Sequence, residues 1–354
     1  LAPYPCPNCR RLLHFEARVC PACSATLGFD PQSDGFLFLA DERTTWRDID
    51  GGTHDLVVCA NNNAYEVCNW LVEQASSTGM CLACRHNKTI PDLTIATVPE
   101  RWGKIEAAKR RLFHTLIHLR LPIETVVEAP NGEGLRFEFL YDPAAENAGR
   151  PQVLTGHDGG LITLNIVEAD DAQRERIRAG LGEPYRTLLG HFRHEVGHYY
   201  WNRLVKGNAE EEARSKAVFG DHDISYDDAL KQHYDQGGTA WTTDFVSSYA
   251  TMHPWEDFAE SFAHLLHLID ALATLRGFGM EMTAWPAREL PKVDFDPYTA
   301  DVRALVDEWV PFSFAQNAIS RSLGQPDLYP FHLSDTIVAK FDYIRELLRR
   351  GARE

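Results

Sequence analysis

The stretch His194-Glu195-Val196-Gly197-His198-Tyr199-Tyr200-Trp201 decides how the C-terminal region reads. Apolar residues recur at helical spacing from Tyr185 to Val205, which predicts an amphipathic helix, with Pro184 suited to its first turn. Two histidines four apart on a helix differ by about 40° around its axis, so His194 and His198 face one metal from adjacent turns. Glu195 lies about 100° from His194, beside the coordination position left for water. A metal there lowers the pKa of its water, and Glu195 is placed to take the proton. This chemistry needs H-E-x-x-H rather than two histidines alone.

Catalytic zinc takes three protein ligands plus water, so a third is sought downstream. The glycine and third histidine of metzincins would stand at positions 201 and 204, where the sequence has Trp201 and Leu204. That class is excluded. Gly238-Thr239 opens like the G-T-x-x-D motif of aspzincins, but Thr242 stands where the aspartate belongs and Asp244 lies two further on. Pro254-Trp255-Glu256-Asp257-Phe258-Ala259-Glu260 is the better candidate. It opens a second helix, Pro254 to Arg276, with Trp255, Phe258, Phe262, Leu265, Leu266 and Ile269 as its apolar stripe. Glu256 and Glu260 share one face. Glu256 can ligate zinc, and Glu260 can accept a hydrogen bond from the far nitrogen of a ligand histidine. Both also suit a helix N-terminus as solvated carboxylates. His253, His264 and His267 are rival ligands.

All eight cysteines precede residue 85. Cys6-Pro7-Asn8-Cys9 and Cys20-Pro21-Ala22-Cys23 form two Cys-x-x-Cys knuckles, the pattern of a four-cysteine zinc ribbon. A closed thiolate shell leaves no place for water, so this role is structural. Cys81-Leu82-Ala83-Cys84 is a third knuckle. Cys59 and Cys68 either complete a second zinc site with it or are buried free thiols, and His54 or His86 could substitute. The expected cofactors are one catalytic zinc and one or two structural ones.

Composition shifts near residue 100. The expected domains are a ribbon over 1–35, a second cysteine-rich zinc-binding region over 36–98, and a mainly helical domain over 99–354. Strands are predicted at Leu135–Tyr141 and Leu161–Val167, and further helices at Lys104–Leu121, Ala300–Val310 and Ser334–Arg350. Leu161–Val167 reads either as a core strand or as an edge strand that pairs with an extended substrate. Glu210-Glu211-Glu212 and Asp221-His222-Asp223 read as solvated charges, and Gly237-Gly238 as a loop hinge.

The net charge of −16 argues against nucleic acid and anionic membranes as partners. No apolar run is long enough for a transmembrane helix, and Leu1 to Cys6 carry no signal-peptide pattern. Paired cysteines of this kind fit a reducing cytoplasm.

H-E-x-x-H on one helix followed by E-x-x-x-E on the next resembles the gluzincins. Ser248 to Glu260 resembles the lethal-factor branch, in which a tyrosine precedes the ligand glutamate by seven residues. That resemblance implies Glu256 as third ligand, Glu260 as its supporting carboxylate and Tyr249 as donor to the oxyanion. Cys68-Asn69-Trp70, His194 to Trp201 and Pro254 to Glu260 together are similar to a bacterial family of zinc-binding metallopeptidases with an N-terminal zinc ribbon. The likeness covers nearly the whole chain and implies an α+β fold: a ribbon region, then a zincin-like, mainly helical domain with a small sheet. The expected function is peptide-bond hydrolysis on a peptide or protein substrate, with the ribbon as a surface for a protein partner. A zinc amidase and a ribbon adaptor with a silent peptidase domain are the competing readings.

Overall fold

The computed structural model describes residues 3–40, 45–130, 132–142, 155–181, 186–235, 243–282, 284–285, 288–289 and 295–352. Pro184, Tyr185, Gly237-Gly238, Thr239 and Thr242 lie outside them. The chain divides into two compact units. The first comprises Leu1–His114, Glu124–Thr155 and Thr163–Asp171, the second Thr115–Ile123, Gly156–Ile162 and Ala172–Glu354. The fold is α+β: small sheets around cysteine clusters, then a mostly helical region.

The first unit begins with a two-residue antiparallel pair, β1 (Tyr4–Pro5) with β2 (Leu12–Leu13). A four-stranded meander follows: β3 (Leu27–Asp30), β4 (Gly35–Leu39), β5 (Trp46–Arg47) and β6 (Thr53–His54), with residues on both sides of position 35. Next, β7 (Leu56–Val58), the short helix α1 (Ala60–Tyr65) and β8 (Leu71–Glu73) form a hairpin-like excursion. Tyr4, Phe15, Phe29, Phe36 and Trp70 pack edge to face or tilted, with contacting ring centroids 4.9–6.5 Å apart, so even this small region has an aromatic core. The Asn69 side chain ties it together by donating to the Phe15 carbonyl at 2.7 Å.

Helix α2 (Val98–His118) starts six residues earlier than its sequence pattern predicts and contributes to both units. In the first unit it packs beside β9 (Asn87–Thr89) and β10 (Arg136–Leu140), which run parallel. The strand expected at Leu161–Val167 is β12 (Leu161–Asn165), followed by a 3-10 turn. Its last three residues belong to the first unit, where β10 is its neighbour; its start, in the second unit, follows β11 (Gly156–Asp158) through Gly159-Gly160. In the second unit the strand packed against the H-E-x-x-H helix is β11.

The second unit is helical: α3 (Asp171–Leu181), α4 (Leu188–Leu204), α5 (Ala209–Phe219), α6 (Tyr226–Asp235), α7 (Pro254–Gly277), α8 (Val302–Ser322) and α9 (Asp335–Gly351). Helix α4 begins at Leu188, with the Thr187 hydroxyl accepting from Gly190 N at 2.9 Å, so its first turn uses a side-chain cap. It is also not amphipathic. Every residue from Glu195 to Trp201 is buried, so all faces of this stretch meet protein, because the helix runs through the core. Helix α7 lies against it, with Phe258, Phe262, Leu265, Leu266 and Ile269 buried as the stripe predicts. Gly197 makes their approach possible: a Cβ there would lie 3.0 Å from Ala259 Cα. Helix α8 runs on to Ser322 through Pro311, past the expected end at Val310. Glu211 is another correction. It is buried in α5 and pairs with Arg350 at 3.0 Å, so it is not a solvated charge. No described helix is long and apolar enough to cross a membrane.

Candidate metal centre

Helix α7 is aimed by its cap. Nδ1 of His253 accepts from Trp255 N at 3.0 Å, Pro254 occupies the first turn, and Glu256 and Asp257 follow where the helix dipole favours acids. His253 is thus a cap and not a metal ligand. His264 bonds the Tyr329 hydroxyl at 2.8 Å, and His267 lies among Trp309 and Tyr329, so neither joins the centre.

Three donor atoms converge from α4 and α7. Nε2 of His194 lies 3.0 Å from Glu256 Oε2, Nε2 of His198 lies 3.2 Å from the same oxygen, and the two nitrogens are 3.2 Å apart. Tetrahedral zinc, with bonds of about 2.0–2.1 Å, spaces its donors about 3.3 Å apart. Glu256 is 2% exposed, and its Oε2 has no hydrogen-bond partner. A buried carboxylate oxygen left without a donor is expensive unless a cation faces it. The donor set therefore fits a divalent metal.

The surroundings hold these donors. Nδ1 of His194 lies 2.7 Å from Glu260 Oε1, so this nitrogen donates and Nε2 is left facing Glu256 Oε2. Ser247 donates to the other Glu260 oxygen. Burial opposes the charge of Glu260, yet the His194 bond brings its carboxyl down to about 2. The His198 ring stacks on Trp255. Glu195 is buried beside its histidine neighbours, and the Tyr249 ring, in a 3-10 turn, lies 5.9 Å from that of His194.

Two residues escaped the sequence reading. The Tyr226 hydroxyl donates to Glu256 Oε1 at 2.7 Å and is also hydrogen-bonded to Tyr249. Burial, then Glu256, push its phenol well up. His157 on β11 lies 6.2 Å from the His198 ring and accepts from Gly160 N; burial brings its pKa down to about 3. Tyr226 carries only the weak signal of a helix start, Ser225-Tyr226-Asp227-Asp228, and His157 that of a Gly-flanked turn.

The eight cysteines gather in two groups of four, each with its sulfurs within 4.8 Å of one another. Cys6 and Cys23 sulfurs lie 3.8 Å apart, Cys9 and Cys20 3.6 Å, and Cys68 and Cys81 3.7 Å. Zinc–sulfur bonds of about 2.3 Å in a tetrahedron require about 3.8 Å. In the first group the knuckles repeat one turn: Arg10 N bonds Cys6 O and Ser24 N bonds Cys20 O, with Arg10 and Ser24 at φ 62° and 58°. His54 pairs instead with Asp48, and His86 with the Leu135 carbonyl, so neither substitutes for a cysteine.

A family model described as "Putative zinc-binding metallo-peptidase" matches residues 98–347. The chain belongs to this family. A second model, described as a zinc-ribbon domain, matches residues 3–95. Uncharacterized protein Rv2568c of Mycobacterium tuberculosis and uncharacterized protein Mb2598c of Mycobacterium bovis are each 39% identical over 348 residues, covering 97% of this chain and 94% of theirs. No solved structure matches. Membership of this metallo-peptidase family and the ribbon match give the coarse function, a zinc metallopeptidase with a zinc ribbon.

Proposed function

We propose that the protein is a gluzincin-like peptidase, with a site of the lethal-factor kind, that hydrolyses peptide bonds of peptide or protein substrates. The observation that carries this reading is the convergence of His194 Nε2, His198 Nε2 and the otherwise partnerless Glu256 Oε2 at 3.0–3.2 Å. When bound there, zinc supplies an acidified water and polarises the substrate carbonyl. Glu195 takes the proton from that water and returns it to the leaving amine. Tyr249 donates to the oxygen on which negative charge develops. Glu260 fixes the orientation of His194.

Three zinc ions per chain are expected, one at this centre and one in each four-cysteine group. The ribbon offers a surface to a protein partner, and free thiolate clusters suit a reducing cytoplasm. The test is casein or peptide-library cleavage by the zinc-loaded chain alongside metal analysis. Glu195→Gln should keep three zinc ions and lose turnover by orders of magnitude; Glu256→Ala should lose one ion. Robust cleavage by Glu195→Gln would sink the mechanism. Turnover of small amides alone would point to an amidase, and partner capture without turnover to an adaptor.

A further inference from the structure

We propose that Tyr226 is the positioning residue that limits Glu256 to a single ligating oxygen. The inference rests on the metal-centre reading above and adds a residue to it.

A carboxylate can present one oxygen or two to a cation. Here the two oxygens of Glu256 have different neighbours. Oε2 faces both histidines, and Oε1 accepts the Tyr226 hydroxyl at 2.7 Å. A hydrogen bond to an ionised oxygen is stronger than one between neutral groups, so Oε1 is held away from the donor triangle. An unrestrained Glu256 could turn both oxygens inward and fill the position that water needs. The tyrosine is itself braced. It opens α6, its ring meets Trp255 edge-on at 5.9 Å, and it lies 5.4 Å from His253, the cap of α7. The phenol therefore reaches the first turn of α7 from a separate helix, where a change in one helix alone would not preserve the contact.

Tyr226→Phe removes only the hydroxyl. Zinc competition against a chromogenic chelator should show affinity at this one site lowered about 10- to 100-fold, the usual scale for losing a group that orients a ligand. Cobalt(II) substituted into the same site should change its visible absorption from a four-coordinate to a five-coordinate pattern, a signature that a merely structural tyrosine would leave alone. Wild-type affinity and spectrum in Tyr226→Phe would overturn the inference. His194→Ala separates the two levels. If it keeps the full zinc complement, the metal-centre reading fails, and this inference with it. If it loses one ion while Tyr226→Phe behaves as wild type, only the role of the tyrosine falls.

Discussion

The imidazole of His198 lies flat against the indole of Trp255, with ring centroids 3.6 Å apart and planes 27° from parallel. His194 has a carboxylate on its outer nitrogen, but the outer nitrogen of His198 is buried without a hydrogen-bond partner. The two histidines are thus oriented by different forces, one by charge and one by stacking. Trp255→Ala should free the His198 ring and weaken zinc about threefold to tenfold, the range of an aromatic pair worth about 0.5–1.5 kcal/mol. Trp255→Phe should retain most of the affinity. Chelator competition on both variants reads the difference.

Gly197 is the x in H-E-x-x-H that cannot be free. An added Cβ would meet Ala259 Cα at 3.0 Å, Ala259 O at 3.2 Å and Phe262 Cβ at 3.2 Å, and two of these belong to backbone. The neighbours have little room to yield. Gly197→Ala should destabilise the fold by about 1–3 kcal/mol, as overpacked interiors do. It should also shift His198 relative to Glu256 and loosen zinc. Denaturant unfolding measures the first effect and metal titration the second. An unchanged midpoint would show that α7 moves freely here.

Arg110 is the cation near the second cysteine group. It is 3% exposed and donates to the Val67 carbonyl at 2.6 Å. Burial disfavours its charge, but Cys68, Glu106, Cys84 and Cys81 outweigh that and raise its pKa. Four thiolates on one zinc would leave a net negative centre in the interior, which a buried guanidinium would offset. Arg110→Leu should speed zinc loss to EDTA from this group and leave the first group at its wild-type rate. Equal rates at both would remove any electrostatic role.

His86 makes part of the stability pH-dependent. Its Nδ1 donates to the Leu135 carbonyl at 2.7 Å, and its Nε2 is buried without a partner. Burial brings its pKa down to about 4 from 6.5. Between those values the unfolded chain binds the extra proton, so stability rises with pH. The contribution is complete above about pH 6.5 and falls as pH drops towards 4, by about 3 kcal/mol over the window. His86→Asn keeps an N–H donor and should flatten this part of the profile. Chemical denaturation at pH 7.5 and 5 compares the two proteins; parallel slopes would mean that another group is responsible.

The parts of the site that lie close together in sequence were legible. His194, Glu195 and His198 share one helix, and Glu256 and Glu260 share another, so spacing alone brings each set to one face. What spacing cannot give is a contact between helices. Tyr226 reaches Glu256 across 30 residues, with no periodic signal to mark it. The same limit explains the misreading of α4. Residues from Phe192 to Trp201 are buried on opposed faces, and a helix surrounded by protein loses the one-sided pattern by which surface helices are recognised. The helix expected to end at Val310 runs through Pro311. Proline removes one backbone bond, and α8 continues to Ser322 regardless.

The close approach of α4 and α7 at Gly197 has a further bearing on how the protein lives with its metals. The His194, His198 and Glu256 donors are set by carbon packed on carbon, with Phe258 and Phe262 fully buried behind them. The cysteine groups sit in turns beside the aromatic cluster of the first unit, and four ionised sulfurs within 4.8 Å would repel one another with no cation between them. In a zinc-starved cell these two kinds of place would fare differently. One would idle as an intact socket, ready to be refilled. The other would come apart and have to be rebuilt, so supply of the ion would set the amount of folded ribbon and the activity of the centre by separate routes.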